Sequence, residues 1–161
     1  PREQRTIRTY LAENDDVRHQ VELPEATVEV LDGRRTFWEK LTALHVACQQ
    51  PQKLHRLHGF SRHLLDLHML MQGEIGPAAL SDTALRDDVI ATKKVLFHES
   101  GVDYEACRSG KATVAPTGKV LRALERDYQE MTDSGMFGGE GLPFEDVLET
   151  LRRVEQLLNS P

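Results

Sequence analysis

Thr36-Phe37-Trp38-Glu39-Lys40-Leu41-Thr42-Ala43-Leu44-His45-Val46-Ala47-Cys48 reads as an amphipathic helix. Phe37, Leu41, Leu44 and Cys48 recur at i, i+4, i+7 and i+11, one apolar stripe of helical period. Thr36 and Glu39 have the spacing of a capping box, which predicts that the helix starts at Thr36. Lys40 falls at the edge of the stripe, where it either snorkels to water or points along a helix seam into a site. Ser61-Arg62-His63-Leu64-Leu65-Asp66-Leu67-His68 opens a second helix, with Phe60, Leu64, Leu67 and Met71 on one face. Leu65, Met69 and Leu70 cover much of the rest, so this helix is expected to be central, ending at Gly73 to Pro77. Charge in two such apolar helices needs a reason, because unpaired buried charge is costly.

The pattern extends in both directions. Leu85, Val89, Thr92 and Leu96 predict a third helix over 81–98, and 101–116 reads as a loop. A fourth helix from Thr117 turns Leu121, Leu124, Tyr128 and Met131 inward, and Ser134 to Leu142 is a glycine-rich loop. A fifth opens at Pro143 with Glu145 and Asp146 in its first turn and the stripe Phe144, Val147, Leu151, Val154 and Leu158. Upstream, Val21-Glu22-Leu23 and Val28-Glu29-Val30 alternate around Pro24-Glu25-Ala26, a strand–turn–strand signature. Before it lies a polar stretch with a short helical segment around Ile7, Tyr10 and Leu11. The expected fold is mainly α, a bundle of about five helices with a small β-ribbon near the N-terminus. It divides into an N-terminal segment, 1–33, and a helical domain, 34–161.

At 161 residues, 39% of them hydrophobic and 29% charged, the chain has enough material for one globular core plus a small appendage. No apolar run approaches the roughly 20 residues of a membrane span. Cys48 and Cys107 have no metal-ligand spacing, and nothing demands an oxidising compartment, so the expected location is the cytoplasm. The net charge of −6 argues against a general nucleic-acid scaffold. Its distribution qualifies that. Between Gly33 and His63, Arg34, Arg35, Lys40, Lys53, Arg56 and Arg62 face Glu39 alone, a local excess of five that leaves −11 on the remainder. A basic face on an acidic body suits a discrete anionic ligand, although solvated helix ends look the same in sequence.

No phosphate loop, dinucleotide fingerprint or serine elbow is present. The seven histidines include no i, i+4 pair and no zinc motif, so no metal ligand is assigned among them. Lys40, Arg62 and Asp66 remain. A lysine and an arginine neutralise phosphate oxygens and a carboxylate orients them, which would suit a nucleoside triphosphate. The plainer alternative is an Arg62–Asp66 salt bridge at i, i+4 with Lys40 solvated.

Arg35-Thr36-Phe37-Trp38-Glu39-Lys40-Leu41 together with Ser61-Arg62-His63-Leu64-Leu65-Asp66-Leu67 resembles the nucleotidyltransferase AbiEii/AbiGii toxin family of bacterial toxin–antitoxin and abortive-infection systems. Asp127-Tyr128-x-x-Met131, Met136-Phe137-Gly138 and Pro143-Phe144 through Asn159 are similar to its C-terminal half, so the resemblance spans about 28–159. It implies a DNA polymerase β-like transferase that uses a nucleoside triphosphate and magnesium, with a tRNA acceptor in some members and an antitoxin protein as partner. Lys40 would contact triphosphate, Asp66 would help arrange the site, and Arg62 would accompany them. The family's Gly-Ser motif and Asp-x-Asp metal carboxylates are missing, since Asp15-Asp16 are adjacent and no Gly-Ser precedes them. With Pro1 at the start, the expectation is a C-terminal piece of a longer protein, the segment 1–33 being a remnant of the nucleotidyltransferase domain. Alone it would be inactive, and magnesium would bind only with the missing domain. A second resemblance is looser. Arg62-His63 with His68 is similar to the pattern of HEPN-type helical ribonucleases, in which Arg62 and His68 would handle RNA phosphate and proton transfer at a dimer interface without metal. A third reading is a non-catalytic interaction module that uses its helices to bind an antitoxin or another domain.

Overall fold

Arg2–Arg8 and Glu25–Leu31 pair antiparallel as strands β1 and β2, with Arg2 opposite Leu31 and Arg8 opposite Glu25. This computed structural model describes residues 2–137 and 142–160. The ribbon lies where a small β element was expected, and β2 contains Val28 to Val30. Its partner is a correction: Arg2–Arg8 takes the place expected for Val21 to Leu23, which is irregular. The reason is chemical. β1 has one apolar residue, Ile7, so it carries no hydrophobic alternation to read, and charge pairs lie across and along the ribbon instead. Arg8 meets Glu25 at 2.7 Å, Arg2 meets Glu29 at 3.3 Å and Arg5 meets Glu3 at 3.0 Å. Ile7 therefore belongs to a strand, while a 3-10 turn at Tyr10–Glu13 and a short helix α1, Asp15–Arg18, connect the strands.

These elements form one compact unit, Pro1–Asp32, and Gly33–Pro161 forms a second. The second is built from α2 (Gly33–Gln49), α3 (Arg62–Gln72), α4 (Ile75–Ser81), α5 (Thr83–Leu96), α6 (Gly118–Asp133) and α7 (Phe144–Asn159). The five long helices fall where helical periodicity placed them. Helix α4 occupies the stretch expected to be a break, because Pro77 sits in its first turn, where a missing amide costs nothing. The α3–α4 approach is close: a Cβ at Gly76 would stand 2.5 Å from the Met71 sulfur and 2.9 Å from the Leu70 carbonyl. Helix α2 also begins earlier than its capping box. Thr36 lies inside the first turn, and the Glu39 carboxylate turns to Lys93 on α5 at 2.5 Å.

The core is the α2 stripe closed over by its neighbours. Phe37, Trp38, Leu41 and Leu44 are fully buried with Leu64 and Leu67 of α3, Val89 of α5, Leu124 of α6 and Leu151 of α7. Trp38 stacks edge-on against Phe37, and its indole N–H donates to the Ala79 carbonyl at 2.9 Å, which fixes α4. The aperiodic segment after α5 is held by side chains rather than by a ladder. His45 Nδ1 accepts the Thr113 N–H at 3.1 Å, and its Nε2 meets the Asp103 carbonyl at 2.9 Å. The Glu155 carboxylate accepts the Val114 and Ala115 amides at 2.6 and 2.9 Å. Among the described residues no helix is long and apolar enough to cross a membrane.

Candidate functional site

Helix period puts His63 and Asp66 one turn apart on α3, so both face the same neighbour. That neighbour is Lys40 of α2. Its ammonium lies 2.6 Å from Asp66 Oδ2 and donates to His63 Nδ1 at 3.3 Å. The Lys40 side chain keeps 22% of its surface exposed and Asp66 keeps 45%, so the pair sits at the lip of the seam between the two helices. Of the three sequence candidates, Lys40 and Asp66 come together and Arg62 does not join them. The Arg62–Asp66 bridge of the plainer alternative is absent: Asp66 is taken by Lys40, and exposed Arg62 has no ion-pair partner among the described residues. Arg62 lines a separate cavity of about 450 Å³ with His58, Gly59, Asp127, Glu130 and Met131 among its walls.

His63 belongs to the site, although in the sequence it figures only among the candidate metal ligands and in the ribonuclease-like pattern. Burial, and then the positive charges of Lys40 and Arg62, push its imidazole down to about 4. It is therefore neutral near pH 7, with Nδ1 free to accept from Lys40. The ring is held edge-on by Phe60, 4.8 Å between centroids. The signal that could have found it is its offset of three residues from Asp66, since a lysine reaching one reaches the other.

Charges continue along the α2–α5 seam. Glu39 bridges Lys93 and Arg35, Arg35 meets Asp88 at 2.5 Å, and Lys93 lies over the Phe97 ring at 4.5 Å. Arg34 and Arg35 are countered by Asp82 and Asp88, Lys40 by Asp66, and Lys53 and Arg56 by Glu99, so most of the positive excess read from 33–63 is neutralised by carboxylates from outside that stretch.

Two further groups set the position of α3. Asp127 of α6 is buried, and its two oxygens accept the Gly59 and Ser61 amides at 2.5 and 2.8 Å. The Ser61 side chain does not cap the helix; the Asp127 carboxylate instead holds two amides of the turn that leads into it. His68 is also buried, with Nδ1 at 2.8 Å from Thr150 Oγ1 of α7 and Nε2 at 3.3 Å from Gln72. Those contacts occupy both ring nitrogens inside the α3–α7 interface. The Arg62–His68 ribonuclease pair thus has no accessible histidine to work with.

Asp15 and Asp16 lie exposed in the first turn of α1, where the Asn14 side chain accepts the Asp16 amide at 3.0 Å. They are not alternating carboxylates on a strand. Among the described residues no three His, Cys, Asp or Glu side chains converge to hold a metal ion. What the seam can do is offer one ammonium, steadied by a carboxylate and a neutral imidazole, to a ligand that competes with Asp66. Gly138, Gly139 and Gly141 of the glycine-rich stretch lie outside the described residues.

The family model for the nucleotidyl transferase AbiEii toxin, type IV toxin–antitoxin system, matches residues 1–150. The match takes in the N-terminal unit as well as the helices, a wider span upstream than the motifs after residue 28 carry. No curated protein and no solved structure matches the chain. Residues across nearly the whole chain thus fit one description, and the chain belongs to the nucleotidyl transferase AbiEii toxin family of type IV toxin–antitoxin systems.

Proposed function

We propose that this chain supplies the triphosphate-contacting half of a nucleotidyl transfer site, working in the cytoplasm on a nucleoside triphosphate, with tRNA as acceptor and an antitoxin protein as partner. The observation that carries the proposal is the Lys40 ammonium, held 2.6 Å from Asp66 at the rim of the α2–α3 seam. Asp66 and neutral His63 hold the ammonium in place before a ligand arrives, which lowers the cost of ordering a long side chain. An incoming triphosphate oxygen competes with Asp66 for Lys40.

The donors among the described residues do not fit a magnesium ion. Asp66 is committed to Lys40, and no cluster of three candidate ligands is present. On this reading the metal and its carboxylates belong to the family's nucleotidyltransferase domain, of which residues 1–33 would be a remnant. On this reading the 161-residue chain alone transfers no nucleotide.

The test is transfer of labelled nucleotide in the presence of magnesium, by this chain and by the full toxin. Lys40→Ala and Asp66→Ala in the full toxin are expected to lower transfer at least 100-fold. Their melting temperatures should stay within about 3 °C of wild type, because a half-exposed pair contributes about 1 kcal/mol or less. Unchanged transfer refutes the assigned roles, and transfer by the chain alone sinks the half-site reading.

A further inference from the structure

Most cations of this protein have a carboxylate partner, and the exceptions are not scattered. Among the described residues Arg62, Lys111, Lys119, Arg122, Arg126 and Arg153 make no ion pair. Four of these six, Arg62, Lys119, Arg122 and Arg126, line two cavities of about 400 and 450 Å³. The cavities share His58, Asp127 and Glu130, so they form one trough between α6 and the segment that leads into α3.

Lys119, Arg122 and Arg126 are exposed and recur at intervals of three and four on α6, which puts them on one face over about 10 Å of helix. His55 and His58 stand on the opposite wall, and Leu57 and Ala123 contribute apolar floor. Two acids line the trough. Asp127 has both oxygens turned to backbone amides, and Glu130 is exposed. Four unpaired cations against two acids, one of them already saturated, make a local positive field on a chain of net charge −6. Like charges gathered without counter-ions repel one another, and a bound polyanion relieves that.

The lining chooses among polyanions. Three of the four cations are arginines, whose planar forks match phosphate oxygens bidentately. Imidazole rings on the facing wall offer surfaces on which bases stack. Cations on successive helical turns suit a run of phosphates rather than a single one. An acidic protein segment would need an apolar pocket for an anchoring side chain, whereas the apolar lining here is interleaved with Lys119, Arg122 and Arg126.

We propose that this trough binds the sugar–phosphate backbone of a single-stranded polynucleotide. The inference stands on residues other than Lys40, His63 and Asp66 and does not depend on the triphosphate reading. Where both hold, the trough seats the acceptor strand beside the nucleotide.

The experiment is fluorescence anisotropy of this chain with a labelled RNA of about 12 nucleotides, and with the DNA of the same sequence, over a series of salt concentrations. Binding is expected to weaken with salt, with a slope of log affinity on log salt near −3, about 0.7 for each of four contacts. Stronger binding of the RNA assigns the ligand to RNA, and equal binding assigns recognition to phosphate alone; both support the trough. Arg122→Glu combined with Arg126→Glu should weaken binding at least 10-fold, and Arg122→Lys combined with Arg126→Lys less than threefold. Circular dichroism checks that each variant is folded. Should the double reversal unfold, Lys119→Glu carries the same test with an expected loss of about threefold, less than one unit of salt slope. Lys40→Ala should bind the oligonucleotide as wild type does, which separates a failure here from a failure of the triphosphate site. Binding that ignores salt, or a folded double reversal that binds like wild type, overturns the proposal. Competition by polyglutamate as effective as by unlabelled RNA overturns it in favour of an acidic protein segment.

Discussion

A neutral histidine beside a lysine makes the stability of this protein depend on pH in a definite direction. His63 has its imidazole pushed down to about 4 from an ordinary 6.5 by burial, and secondarily by Lys40 and Arg62, with Asp66 opposing. Between those two values the unfolded chain binds a proton that the folded chain does not, so stability rises with pH there. The contribution is complete above about pH 6.5 and is lost as pH falls toward 4. Discounted for the solvent that reaches a half-buried ring, the wild type should lose about 1–2 kcal/mol more than His63→Gln over that interval. Urea denaturation at pH 7 and pH 4.5 measures the difference, and parallel curves for the two proteins would contradict it. Residue-scale chemistry of this kind was partly legible. Lys40 and Asp66 could be picked out because charge in an apolar helix is conspicuous, but which partner each would choose depends on how α2 packs on α3. An i, i+4 rule sees only the partner on its own helix, and so it favoured Arg62.

The turn that leads into helix α3 is secured by a carboxylate from a different helix. Removing it by Asp127→Ala leaves the Gly59 and Ser61 amides without their acceptor and should cost about 2–3 kcal/mol, whereas Asp127→Asn, which keeps an acceptor oxygen, should cost about half as much. Trp38, the protein's one tryptophan and fully buried, supplies the fluorescence that follows unfolding of the helical unit. A loss below about 0.5 kcal/mol for the alanine variant would show that water or another side chain replaces the cap. Elements with an apolar stripe were readable from sequence because their period is imposed by the core they cover. Helix α4 and strand β1 were not, for opposite reasons. The first hides behind Pro77 and Gly76, residues that usually end a helix. The second has a charged sequence with no apolar alternation, and its Arg2 and Arg8 pair with glutamates on β2.

At the scale of the whole molecule the two compact units differ in kind. Every residue of β1 is exposed, and β2 is exposed at five of seven positions, whereas the helical unit closes on a buried apolar core. A two-stranded ribbon with little buried area has little to hold it. Backbone amides in Arg2–Arg8 and Glu25–Leu31 should therefore exchange with deuterium at least 100-fold faster than those of α2 and α3. Equal protection in the two sets would show that the ribbon is covered in solution. The family was legible from the two motifs around Lys40 and Asp66, since those helices carry both the core and the charge. The trough was invisible at that stage, because its walls lie far apart in the chain and no one of them is basic enough to attract notice.

The Asp127 cap has a consequence for genetics. Arg62 and His63 follow directly from the backbone that this carboxylate grips, so a lesion at 127 would shift the start of α3 while leaving Lys40 and Asp66 chemically intact. On the proposed reading, a selection for toxin mutants that no longer harm their host would return Asp127 alongside Lys40 and Asp66. Read as a list of hits, that selection would enrol a helix clamp among the proposed triphosphate contacts, and only the stability of each mutant would tell them apart.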